Sequence, residues 1–112
     1  MELIENQRSL SLSEDEFNII CQIIPPPFGD IQKYINELKF TRTYLNEMIQ
    51  FLRQNLLKKE IVVQDGFLKD LCLAFKICCD IIDPLEIQTV TGHTWLEVMK
   101  IYDKLYIATF AG

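Results

Sequence analysis

The pattern of this 112-residue sequence predicts an all-α fold, a compact bundle of four main helices over 14–24, 31–58, 67–82 and 94–108 with a short helix near 84–90. Three observations carry that expectation. Apolar residues recur at helical spacing over long windows. Residues that cap helices stand just before those windows. No stretch alternates with a period of two, and no internal repeat occurs. The length suits one domain spanning 1–112, in which the polar, weakly patterned residues 1–12 are expected to form a mobile arm or a short helix that docks late.

The first helix is announced by Leu12-Ser13-Glu14-Asp15-Glu16-Phe17. Ser13 is placed to cap it, Glu16 to reach back to the cap, and Leu12 and Phe17 to close a hydrophobic staple. Pro25-Pro26-Pro27 ends it, because three prolines remove three donors and hold the chain extended. Asp30 then caps a second helix from Ile31. Its apolar positions, Ile31, Tyr34, Ile35, Leu38, Leu45, Met48, Ile49, Leu52 and Leu56, keep helical spacing for about seven turns. Thr41-Arg42-Thr43 interrupts that run only weakly and no Gly or Pro lies inside, so one continuous helix over 31–58 is preferred to two meeting near Thr41. Lys58 and Lys59 suit the negative end of its dipole.

Glu60-Ile61-Val62-Val63-Gln64 reads as a β-branched connector, since no mate for a strand is visible. Asp65-Gly66 opens the third helix, whose polar residues Lys69, Lys76 and Asp80 fall within ~40° of one another, with Asp70 to one side. A helix so nearly apolar all round belongs at the centre. Asp83-Pro84-Leu85-Glu86 starts the short helix with a cap, a first-position proline and a box acid, and Thr91-Gly92 stops it. Thr94-Trp95-Leu96-Glu97 repeats the box and begins the last helix. The face expected to be buried there is Trp95, Val98, Met99, Tyr102, Leu105, Tyr106 and Phe110.

Composition limits the function. Net charge is −5, with six acids against Arg8 in residues 1–30, a net +3 in 31–60 and −3 in 61–112. An acidic balance argues against sequence-independent nucleic-acid binding and against docking on an anionic membrane, and favours a basic protein partner. No apolar run reaches the length needed to cross a bilayer, and Met1-Glu2-Leu3-Ile4-Glu5 lacks the order of a signal peptide, so a cytoplasmic location is expected. Cys21, Cys72, Cys78 and Cys79 are then expected as reduced, small apolar core residues. Cys72 and Cys78 are separated by ~240° of helix rotation, which does not suit a closed zinc site.

Catalytic signals are sparse. His93, the only histidine, stands at a helix start with Asp83 and Glu86 nearby in sequence, where a base or metal ligand would fit, but no nucleophile or ligand set accompanies it, and packing at the turn is preferred. Gly29, Gly66, Gly92 and Gly112 form no phosphate-binding loop, and G-x-S-x-G, H-E-x-x-H and C-x-x-C are absent. No enzyme, cofactor or metal is therefore expected. Glu14, Asp15, Glu16, Asp80, Asp83 and Glu86 fall at helix ends, where acids at an N-terminus answer the dipole and also present a negative surface.

The leading expectation is a small acidic inhibitor or immunity-type protein that neutralises a basic partner by occlusion through those six acids. Phosphate mimicry would leave the same signature. The alternative is a helical adaptor, oligomeric subunit or secretion-chaperone-like protein that associates through apolar helix faces. As a homodimer it would use Phe40, Tyr44 and Phe51, which gather to one side, ~100° or more from the centre of the stripe of Leu38, Leu45, Ile49, Leu52 and Leu56, while Lys39, Arg42, Asn46, Gln50 and Arg53 form the polar face.

Overall fold

A computed structural model describes residues 6–24, 31–55 and 57–110. It is mainly helical, in the order β1 (Gln7–Leu10), α1 (Glu14–Ile23), α2 (Ile31–Leu38), α3 (Arg42–Gln54), β2 (Ile61–Gln64), α4 (Asp65–Ile81), α5 (Pro84–Thr91) and α6 (Trp95–Phe110). The Pro25-Pro26-Pro27 connector, the Asp30 cap and Leu56 lie outside the described residues.

The bundle is organised around α4, which packs against α6, α2, α1 and both strands. That central place follows from its composition. Leu68, Leu71, Cys72, Ala74, Phe75, Cys78 and Cys79 are all buried, and they point in several directions around the helix. Cys72 and Cys78 do face apart, yet each meets protein. Burial pushes the Cys78 and Cys79 thiols up to about 12, and those of Cys21 and Cys72 upward as well, so the four free thiols stay protonated.

The start of α1 has the expected geometry. Ser13 Oγ accepts the Glu16 N–H at 3.1 Å, Glu16 Oε1 accepts the Ser13 N–H at 2.9 Å, and Leu12 and Phe17 are both buried.

Two expectations about the extended segments are overturned. Residues 7–10 are not a mobile arm, and 61–64 is not a connector. They pair antiparallel in the register Gln7↔Gln64, Arg8↔Val63, Ser9↔Val62 and Leu10↔Ile61, extended by the Asp65 N–H bonding to the Asn6 carbonyl at 2.8 Å. Arg8 Nε meets Asp65 Oδ1 at 2.6 Å, and the Ser9 hydroxyl donates to Glu60 Oε1 at 2.8 Å. The mate of each strand lies more than fifty residues away. Val62 is an apolar residue on the solvent side, which hides the two-residue period.

The run 31–58 is two helices. Lys39 adopts φ 59°, its N–H bonding back to the Ile35 carbonyl, and Thr41 caps α3 by accepting the Tyr44 N–H at 3.1 Å. A lysine seldom takes the left-handed conformation that usually marks a helix end with glycine or asparagine, so the sequence carries little warning of the break. At the far end Asn55 closes α3, donating from Nδ2 to the Phe51 carbonyl at 2.8 Å, which leaves Lys58 and Lys59 outside the helix.

The last helix is rotated by about 70° from the face expected of it. Val98, Ile101, Leu105 and Thr109 are buried, Trp95, Met99 and Tyr102 are half-buried, and Tyr106 and Phe110 are exposed. Its apolar arc is wider than the surface that α4, α5 and β1 offer, and a helical wheel cannot say which part of a wide arc is covered. Thr109 meets its polar demand by donating to the Leu105 carbonyl at 2.6 Å.

Candidate functional site

The helix starts position a cluster of charge where α1 meets the α5–α6 turn. Gly92 at φ 74° closes α5, its N–H bonding to the Gln88 carbonyl at 2.9 Å. A left-handed glycine at this place costs little backbone energy. The chain then turns so that the Thr91 hydroxyl accepts the His93 N–H at 3.1 Å, and the imidazole emerges between two helices.

His93 Nδ1 lies 2.7 Å from Glu97 Oε2 on α6, and Nε2 lies 3.1 Å from Asp15 Oδ2 on α1. The ring therefore does more than pack at the turn. It bridges two helices through two carboxylates. The Glu97 hydrogen bond, aided by Asp15, raises the His93 pKa above its ordinary 6.5. Glu97 is lowered in turn by His93. Thr94 caps α6 by accepting the Glu97 N–H at 3.2 Å, while the Glu97 carboxylate that was expected to complete the box turns to His93.

Glu16 is tied next to this bridge by Lys104, whose Nζ stands 2.8 Å from Oε2. Partial burial works to raise the Glu16 pKa, but Lys104 and the two bonds to Ser13 outweigh it and hold the carboxyl below the usual range. Glu14 is exposed beside them.

The other three acids lie elsewhere. Asp80 pairs with Lys76 at 2.7 Å, and Asp83 caps α5 by accepting the Leu85 N–H at 2.8 Å. Glu86 is exposed on the first turn of the same helix. The His93 bridge sets Asp15 beside the turn that follows α5, whereas Asp83 and Glu86 lie at the start of α5, an eight-residue helix about 12 Å long. The six acids thus form two edges flanking α5 rather than one patch. Glu97 belongs to the first edge and was missed in sequence, where its spacing reads as a cap. Exposed Leu85 stands between Asp83 and Glu86.

Phe40, Tyr44 and Phe51 are half-buried and packed against the core. Phe51 meets Phe67 of α4 edge to face at 5.0 Å, Phe40 meets Tyr44 at 5.7 Å, and the Tyr44 hydroxyl donates to the Asp70 carboxylate. Burial, then the Asp70 bond, pushes the Tyr44 hydroxyl up to about 12. Bending the chain at Lys39 is what lets these rings turn inward, so most of the surface they would offer to a second copy is already used.

Among the described residues no group of three His, Cys, Asp or Glu side chains is arranged to hold a metal ion, and no helix is long and apolar enough to cross a membrane. Compared with protein-family models, curated proteins and solved structures, the chain matches none of them.

The bridge makes a pH-dependent prediction. A histidine whose folded-state pKa lies above its unfolded value contributes stability that is complete below about 6.5 and is lost as pH rises through the raised value. Glu97, lowered from 4.5, contributes above that value and loses its share as pH falls. Since His93 is the only histidine, NMR titration of its ring is unambiguous. The midpoint is expected above 6.5 in the native protein and closer to 6.5 in Glu97→Gln. Thermal stability should decline as pH rises from about 6.5 through the raised His93 value, and His93→Gln should flatten that decline.

Proposed function

We propose that this protein is a non-enzymatic binding module, a small acidic inhibitor of immunity type that neutralises a basic protein by covering its working surface. The observation that carries this reading is the way the first acidic edge is held. Asp15 and Glu97 are fixed by one imidazole, and Glu16 by Lys104 and its own cap. Asp15 and Glu97, each anchored to the imidazole through one oxygen, keep acceptor sites for a partner's arginine or lysine and lose little side-chain entropy when they bind. Glu14 is exposed on the first turn of α1 and Glu86 on the first turn of α5, where Leu85, 75% exposed, stands beside it as an apolar anchor. The net charge of −5 steers such a partner toward the surface. Cytoplasmic residence belongs to the same proposal and is supported by the four unpaired cysteines.

The test is complex formation with a basic partner captured from the protein's own proteome, followed at low and high salt. Affinity should fall as salt rises. The triple variant Glu14→Gln, Asp15→Asn, Glu86→Gln, isosteric and without the charges, should bind about tenfold more weakly, as expected for three rim pairs of a few tenths to 1 kcal/mol each. An affinity indifferent to both changes sinks the reading.

A further inference from the structure

The sheet leaves an edge of β2 without a mate. The Asp65 N–H bonds to the Asn6 carbonyl, and mutually bonded pairs alternate along an antiparallel ladder, so Ile61 and Val63 turn their backbone groups to β1. Val62 and Gln64 turn theirs the other way. Among the described residues nothing accepts the N–H of Val62 or Gln64, and nothing donates to the Val62 carbonyl. Beside this edge runs a groove of about 300 Å³ shared by Val62, Val63 and Gln64 of β2, Phe51 of α3 and Phe67 of α4. No described residue of β1 lines it, which places the groove on the outer side of β2. The two half-buried rings, edge to face at 5.0 Å, make it apolar.

Unpaired backbone groups spaced along a strand edge fit one kind of occupant, the backbone of another extended chain. An antiparallel strand laid on β2 would exchange two bonds with Val62 and accept the Gln64 N–H. The residues on either side of the one facing Val62 would point their side chains as Ile61 and Val63 do, toward the Phe51 and Phe67 rings. Main-chain bonds then supply the hold, and the aromatic groove selects a large apolar side chain.

Charge decides whose strand it is. The chain carries −5 as a whole, yet this side of the sheet is cationic. Lys58 and Lys59 lie on the turn that links α3 to β2, and so at one end of the groove, and both are exposed with no ion pair among the described residues. At the other end Asp65 is outweighed by two partners, Arg8 at 2.6 Å and Lys69 at 2.8 Å. With Glu60 included, four cations stand against two acids. Two copies meeting edge to edge here would bring like charge together, whereas acids on an incoming strand would meet Lys58 and Lys59. We infer that the outer edge of β2 binds an extended segment of another protein by strand addition, with an apolar side chain in the Phe51–Phe67 groove and acids toward its C-terminal end against Lys59 and Lys58. This edge takes an acidic strand, unlike the acidic edges proposed to take a basic surface, so each reading fails without the other.

The probe is the peptide acetyl-Thr-Phe-Thr-Val-Thr-Glu-Glu-amide, titrated into the full chain and followed by NMR and by amide hydrogen exchange. It should slow exchange at Val62 and Gln64, whose amides face outward, and leave Ile61 and Val63 as they are in the free chain. Methylating the backbone nitrogen of the threonine between phenylalanine and valine removes the donor to the Val62 carbonyl and should weaken binding about tenfold or more. Methylating the valine nitrogen, which points away from β2, should leave affinity unchanged. In the chain, Lys58→Glu together with Lys59→Glu should cost about tenfold at low salt and less at high salt. Val62→Pro deletes an outward N–H that the β1 ladder does not use and should cost about tenfold as well. Where circular dichroism shows that Val62→Pro fails to fold, the two methylated peptides make the same distinction. Unchanged Val62 exchange at about 1 mM peptide overturns the inference, as do equal affinities of the two methylated peptides or an unaltered affinity of the charge-reversed chain. A mass of twice 13.1 kDa with Val62 protected in the free chain also overturns it, by making a second copy the occupant.

Discussion

Phe75→Ala is expected to cost about 3–5 kcal/mol, a large part of the 5–15 kcal/mol that holds a domain of this size together. Phe75 is fully buried in the middle of α4, the helix against which α1, α2, α6 and both strands pack. Removing the ring forfeits its transfer from water and also leaves a cavity. Neighbours on several elements cannot collapse into that space without dragging their helices along. The measurement is urea unfolding followed by circular dichroism, in which the midpoint should fall sharply with little change in slope. Leu96→Ala supplies the contrast. It removes a larger aliphatic side chain than Val from an exposed site on α6, and should change stability by no more than about 0.5 kcal/mol.

The second large effect concerns the N-terminal segment. Leu10 is only 2% exposed and ends the strand that pairs with β2, so Leu10→Ala is expected to cost about 2–5 kcal/mol. A mobile arm would register no loss. Hydrogen exchange gives an independent readout. The bond from the Asp65 N–H to the Asn6 carbonyl sets the alternation of the ladder, which makes Arg8↔Val63 and Leu10↔Ile61 the mutually bonded pairs. The amides of Ile61 and Val63 should be protected while that of Val62, turned to the outer edge, exchanges quickly. Uniformly fast exchange from 61 to 63 would contradict the pairing.

The candidate site was legible in part. Ser13 and Glu16 declared the first helix start by their spacing, and Asp83-Pro84 and Gly92 marked both ends of α5, because caps and left-handed glycines are satisfied within a few residues. The role of His93 was not legible. Its partner Asp15 lies at the other end of the chain, and Glu97 reads in sequence as half of a capping box, a role its spacing allows but its carboxylate leaves for the imidazole. Glu14 through Glu16 and Asp80 through Glu86 look alike as acidic groups. Only the packing of α1 on the turn after α5 places them on separate edges.

The apolar surfaces teach the same point in reverse. Phe40, Tyr44 and Phe51 lie off the stripe of their helix and suggest an open face, yet α4 meets them once the chain bends at Lys39. Tyr106 and Phe110 look like core and are left outside. Exposure depends on which neighbour arrives, and no local pattern encodes the neighbour.

By itself, then, the sequence determined the helical class, the positions of the helix starts at Ser13, Asp83 and Thr94, the stop at Gly92 and the central place of the helix rich in cysteine and leucine. These follow from backbone bonds closed over three or four residues and from how much apolar surface a helix must hide. Tertiary structure alone decided the pairing of residues 7–10 with 61–64, the break at Lys39, the histidine bridge and the face that α6 leaves in water. Each of these is a contact between segments far apart in the chain, whose free energy exists only when both are brought together.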